Sequence, residues 1–328
     1  MKAAFPIRIG GRILAFGLVA VATQTAMAQA WPSKPIRLLV PFAPGGTSSV
    51  VARTVSSELG KQLGQSVVVE NKPGASGVTA MLETVKSAPD GYTLVMGHVG
   101  SLAVNPYILP DQPYDVNKDF AAVTLLTKVP NIFVVHPDVP AKDMREFIAY
   151  AKKNPGAINY GSAGNGSAGH LAFEYLKLVA GINIAHIPYK GTGPQLVDLL
   201  AGRTQASSAG TPALLQFVKS GKIRAIGTGT LKRIPSLPDL PTVAEQGFPG
   251  FETAQWYGIN APAAVPADII RRIADESRKA MRSTVVAERF ANDDAEAIGS
   301  TPQEYDAFIR REQKIWADIV KRAAIKTD

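Results

Sequence analysis

The chain has 328 residues, 46% hydrophobic and 19% charged, which excludes intrinsic disorder and a polytopic membrane protein. It contains no cysteine, so disulfides, zinc ribbons, iron–sulfur clusters and thiol nucleophiles are ruled out. The net charge is +8, and His98, His136, His170 and His186 are scattered without metal-ligand spacing, so neither a metal nor a cofactor is expected.

Residues 1–30 read as a secretory signal peptide. Lys2, Arg8 and Arg12 form a basic start with no acid, and Ile13 to Ala22 is an apolar run. Ala26-Met27-Ala28 and Ala28-Gln29-Ala30 both fit an A-x-A cleavage site. The run is shorter than the ~20 residues needed to span a bilayer. Cleavage removes three cations and lowers the charge from +8 to +5. No cluster of five or more Lys/Arg remains, so nucleic acid is not an expected partner. The mature chain is expected to be soluble and exported.

From Trp31 onward the pattern is strand, glycine turn, helix, repeated. Ile36–Phe42 is a short apolar run suited to a buried parallel strand. Pro44-Gly45-Gly46 breaks it, and Thr47 or Ser48 is expected to cap a helix whose face carries Val51, Val55, Leu59 and Leu63. Ser66–Glu70 and Tyr92–Met96 read as strands around a small-residue helix near 76–88. Ala121–Leu126 and Asn131–Val135 read as two further strands. Helices near 142–153, 168–179, 193–201 and 212–219 alternate with strands near 157–160, 184–188, 204–208 and 223–228. Such alternation predicts an α/β architecture with parallel sheets, in two units of about 100–150 residues. Phe251–Ala261 is extended. A helix opens at Pro266 and Asp268, and Thr301-Pro302-Gln303-Glu304 is a capping box before the last helix.

Three turns carry chemistry. In Pro41-Phe42-Ala43-Pro44-Gly45-Gly46-Thr47-Ser48-Ser49, adjacent glycines let the backbone approach a ligand, and the following helix offers unpaired N–H groups and a positive dipole end. A side chain at Gly46 is expected to block that approach and to conflict with the backbone angle required. Gly164-Asn165-Gly166-Ser167-Ala168-Gly169 fits G-x-G-x-x-G, but no acid follows at the end of the next strand, so a dinucleotide is disfavoured against an anion or polar ligand. His186-Ile187-Pro188-Tyr189-Lys190-Gly191-Thr192-Gly193-Pro194 is a third strand–turn–helix. No G-x-S-x-G elbow or Walker loop is present. Ser, Thr and Asn in these turns bind well but do little chemistry without a base. Three such turns on two α/β units predict ligand capture between domains by hinge motion, without catalysis. The alternative is an exported hydrolase using Ser162 or Ser167.

The order of segments resembles the Bug (Bordetella uptake gene) family, the substrate-binding components of tripartite tricarboxylate transporters. The resemblance runs through Pro41–Gly46, Glu70-Asn71-Lys72-Pro73-Gly74-Ala75, Pro89-Asp90-Gly91-Tyr92-Thr93, the Gly161–Glu174 segment, His186–Gly191, Leu237–Glu245 and Trp256-Tyr257-Gly258. It implies a two-domain α/β periplasmic binding protein of type II, the Venus flytrap. Domain I is then 31–125 with 250–328, and domain II is 126–249. It also implies a small organic carboxylate as ligand, integral-membrane permease subunits as partners, a periplasmic location and a monomer. A ligand-sensing partner of a membrane kinase is the other role open to such a fold. The implied ligand-binding residues are Pro44, Gly45, Gly46, Thr47 and Ser48, opposed by His98, Gly100, Ser101, Ser162, Gly164, Asn165, Ser167, Thr192 and Gly193, with Ser208 and Gly210 on the far side. The family usually has Asp at the position of Ser49, and often one in the segment Gln205-Ala206-Ser207-Ser208. Their loss implies a less negative cleft, suited to a plain or aromatic carboxylate more than to an amino acid.

Overall fold

The computed structural model describes residues 1–3, 31–109 and 111–325. The expected signal peptide lies almost wholly outside them. The described residues from Trp31 onward form one compact unit.

The elements follow the order β1 (Ile36–Val40), α1 (Thr47–Leu63), β2 (Val67–Asn71), α2 (Val78–Val85), β3 (Thr93–His98), α3 (Asn105–Ile108), α4 (Val116–Asp119) and β4 (Phe120–Val135). Next come α5 (Met144–Lys153), β5 (Asn159–Ser162), α6 (Ala168–Ala180), β6 (Ala185–Pro188), α7 (Thr192–Leu200), β7 (Ala206–Gly210), α8 (Thr211–Lys219) and β8 (Arg224–Thr228). The chain ends with β9 (Ala254–Pro262), α9 (Ala267–Met281), α10 (Thr284–Asn292), β10 (Glu296–Ala297) and α11 (Pro302–Ala323).

The strands form one curled path, β2-β1-β3-β9-β4-β7-β5-β6, with β8 and β10 also pairing to β4. β1 pairs in parallel with β2 and β3, and β5 with β6 and β7. The middle of the path is antiparallel: β3 to β9, β9 to β4, and β4 to β7 and β8. The expected parallel sheets are therefore mixed. The strands expected at 121–126 and 131–135 are one strand, β4. Residues 120–130 of β4 pair with β9, and residues 131–135 pair with β7 and β8. Lys128-Val129-Pro130 resembles a break in the sequence. Pro130 instead falls where the strand changes partners, a place where a missing N–H is tolerated. The chain crosses back between Gly229 and Thr253, which bond through Thr253 N–H to Gly229 O at 2.8 Å.

Helices cover both faces of the sheet. Along β1, Leu38 and Val40 pack against Val55 and Leu59 of α1 and Ile273 of α9. Leu39, with the opposite parity, packs in a second core with Met81, Tyr305, Phe308 and Trp316. β4 repeats this: Phe133 and Val135 face Phe147 and Phe173, while Ile132 and Val134 face Leu199 and Leu214. The sequence pattern did not show α10, whose buried contact is only Val286 and Phe290, one turn apart.

The capping box forms as expected. Thr301 Oγ1 accepts from Glu304 N–H at 3.2 Å, and Glu304 Oε2 accepts from Thr301 N–H at 2.8 Å. Thr301→Ala is expected to cost about 1 kcal/mol of stability, measured as a lower midpoint in urea with an unchanged slope.

Candidate functional site

Phe42, the N-terminus of α1, β3, the start of α6, the start of α7, the end of β7 and the start of β9 enclose a cavity of about 20 Å³. That is room for about one water molecule. Thr47, Ser48, Ser167, Thr192 and Ser208 supply hydroxyls, and Gln255 an amide. Phe42, His98 and Tyr257 make an aromatic wall, with Phe42 edge-on to His98 at 5.0 Å and His98 tilted on Tyr257 at 5.4 Å. Ala163, Ala168, Gly169 and Ala209 complete the lining, which holds no Asp, Glu, Lys or Arg.

Two helices begin at this cavity without a side-chain cap. Gly46 is the N-cap of α1 and Gly191 that of α7, and neither helix has an acid in its first turn. The cap was expected at Thr47 or Ser48. A glycine cap instead leaves the first-turn N–H groups without a side-chain acceptor, and keeps the Thr47 and Ser48 hydroxyls available. Ser208 Oγ is buried without a hydrogen-bond partner, and the buried Thr47 hydroxyl faces the Tyr257 phenol. α6 differs, because Ser167 caps it by accepting from His170 N–H at 3.4 Å.

His98 is fully buried, and burial pushes its pKa down to about 3. It is neutral, and its Nδ1 accepts from Gly100 N–H at 3.0 Å, which puts the remaining proton on Nε2. Burial, with His186 and Lys177 nearby, likewise lowers His170 to about 3. Burial raises the Tyr257 phenol well above its usual range.

Six residues named from sequence meet in the cavity wall: Thr47, Ser48, His98, Ser167, Thr192 and Ser208. Others form a seam over it. A Cβ on Gly193 would collide with the carbonyl oxygen of Pro44, one on Gly45 would meet Gly193 Cα at 3.3 Å, and one on Gly46 would meet Thr192 Cβ at 3.1 Å. A Cβ on Gly100 would collide with the carbonyl of Gly166, and Ala43 N–H donates to Lys190 O at 2.8 Å. The backbone at Gly46 does not conflict with a side chain, contrary to expectation. Its φ of −101° suits any residue, and the left-handed angle is at Gly45, φ +89°. A side chain at position 46 is excluded by Thr192 across the seam, not by the backbone.

The remaining named residues have local work. Ser101 Oγ donates to His98 O at 3.2 Å. Ser162 is fully buried beside His186 Nε2 at 2.7 Å and accepts from Gly164 N–H at 3.0 Å. It ties β5 to β6 and does not line the cavity. Gly164 takes φ +118°, Asn165 is half-buried in the same turn, and Gly210 packs against Thr47. Ser49 Oγ accepts from Asn71 Nδ2 at 2.9 Å, away from the cavity. Sequence reasoning missed Gln255 and Tyr257. The available signal was the alternation across Phe251–Ala261, which puts a polar Gln255 on the same strand face as Tyr257 and opposite Trp256.

The family model for the tripartite tricarboxylate transporter family receptor matches residues 51–325. Protein BugT of Bordetella pertussis is 37% identical over 300 residues, covering 91% of this chain and 92% of BugT. Among solved structures, R. palustris Rpa4515 with adipate superposes with a TM-score of 0.87 at 34% identity, covering 90% of this chain and 99% of that one. MatC (Rpa3494) from Rhodopseudomonas palustris with bound malate gives 0.85 at 30% identity, covering 88% and 99%. The likeness extends over the whole described fold from β1 to α11, an α/β periplasmic binding protein architecture.

Proposed function

We propose that this chain, which belongs to the tripartite tricarboxylate transporter receptor family, is a periplasmic solute-binding protein that captures a small organic carboxylate and passes it to integral-membrane permease subunits. The observation that carries the ligand class is the pair of glycine-capped helix ends, α1 and α7, meeting at one enclosed polar cavity without a basic side chain. Helix N-termini favour an anion, and hydroxyls add neutral donors. Among the described residues no general base stands beside an accessible nucleophile, which favours binding without catalysis. The relatives that bind adipate and malate support the same class.

A cavity of about 20 Å³ is several-fold too small for such an acid, so the two halves of the sheet separate to admit it. In this reading the hinge is Pro130–Asn131 together with Gly229–Thr253, a reading supported by the change of strand partners at the first and by the backbone bond at the second. Ligand then selects a closed form. A thermal-shift and calorimetric screen of dicarboxylates, hydroxy acids, aromatic acids and amino acids tests the ligand class. At a hundredfold excess over Kd the stabilisation is about 2.7 kcal/mol, visible as a higher melting temperature. A flat response to every acid would refute the proposal. X-ray scattering tests the motion: the radius of gyration is expected to fall on saturation, and superimposable profiles would count against a hinge.

A further inference from the structure

One wall of the cavity carries a hydrogen-bonded chain that capture of a carboxylate does not require. Gln255 and Tyr257 lie two residues apart on one face of β9. Tyr257 pairs across the ladder with His98, and Gln255 with Val129, two residues before Asn131. The Tyr257 hydroxyl donates to Gln255 Oε1. Gln255 Nε2 donates to Asn131 Oδ1 at 2.7 Å. All three residues are buried. The Gln255 amide is thus engaged at both ends, and Tyr257 has spent its only proton. Its oxygen can only accept, with the Thr47 hydroxyl as one donor already beside it and a ligand hydroxyl as a second.

His98, facing it at 5.4 Å between ring centroids, has the opposite character. Its Nδ1 is occupied by Gly100 N–H, so Nε2–H is a donor. A donor and an acceptor therefore sit side by side in the wall. A hydroxyl group satisfies both, since it accepts from one and donates to the other. An ammonium would satisfy Tyr257, but no Asp or Glu lines the cavity to offset burial of its charge. A keto oxygen offers no donor, and a methylene offers neither.

We infer that Tyr257 is a specificity-determining residue which, with His98, selects carboxylates bearing a hydroxyl group over their unsubstituted, amino and oxo counterparts. This rests on the carboxylate-binding reading above. A buried acceptor left without its donor is penalised, which is how such sites discriminate.

The test is calorimetry on matched series: malate, succinate, aspartate and oxaloacetate; 2-hydroxyglutarate, glutarate, glutamate and 2-oxoglutarate; mandelate and phenylacetate. In the series that binds, the hydroxy acid is expected to bind at least tenfold tighter than its unsubstituted partner. In Tyr257→Phe that ratio is expected to collapse toward one. Equal affinity for the unsubstituted acid, tighter binding of the oxo or amino acid, or an unchanged ratio in Tyr257→Phe would each overturn the inference. The wild-type series decides the matter even where the variant fails to fold. Binding of no acid in any series would fail the carboxylate reading itself, a different result from binding without a hydroxyl preference.

Discussion

Replacing the ligand's carboxylate by a neutral amide is expected to weaken binding about 30- to 1000-fold, measured by calorimetry on the tightest-binding acid of the screen and its amide. A charge-assisted hydrogen bond contributes roughly 1.5–3 kcal/mol. A helix terminus adds roughly 0.3–1, up to about 2 when partly buried. Together these give a difference of about 2–4 kcal/mol between acid and amide. On the proposed function, the donors are the first-turn N–H groups of α1 and α7 and the hydroxyls of Thr47 and Ser48. Lys190, the cation nearest in sequence, is exposed, and its side chain does not line the cavity; its backbone carbonyl instead bonds Ala43 N–H at 2.8 Å. Lys190→Ala is therefore expected to cost less than tenfold, as exposed charge interactions are usually worth under about 1 kcal/mol. Equal binding of acid and amide, together with a collapse in Lys190→Ala, would move the anion out of the cavity.

The second large effect is expected from one methyl group. Gly193→Ala puts a Cβ against the carbonyl oxygen of Pro44, closer than van der Waals contact permits. Both atoms are tied to backbone, so the clash is relieved only by keeping the seam apart. Gly193 lies in the first turn of α7, where alanine is well tolerated, so the half that carries it is expected to fold normally. With the proposed hinge closure, the strain is expected to fall on the closed form alone. Overpacking of this kind costs about 1–3 kcal/mol, which lowers ligand affinity about 5- to 150-fold through the closed population. Gly46→Ala is the milder control. Its Cβ meets the Thr192 side chain at 3.1 Å, and a side chain can shift where a carbonyl cannot. Wild-type affinity in a folded Gly193→Ala protein would show that the seam need not close on the ligand.

Local chemistry carried much of this protein into view from the chain alone. The apolar run at Ile36–Val40, the valines and leucine of α1 at spacing four, and the Thr301 capping box each specify an element through contacts within a few residues. The glycine turns marked where helices begin, and Thr47, Ser48, Ser167 and Thr192 from those turns line one cavity with His98 and Ser208, which the family resemblance named. Three things depended on tertiary structure. Pro130 continues a strand instead of ending one, because β4 changes partners there, and partner choice is set by the whole sheet. Gly46, Gly193 and Gly100 are small because of what lies across the seam, which has no local signature. Gln255 and Tyr257 enter the site from a strand more than 150 residues beyond the first glycine turn, through an antiparallel pairing with β3 and β4. A single sequence displays a residue's periodicity, but the atom it must face is supplied by the fold.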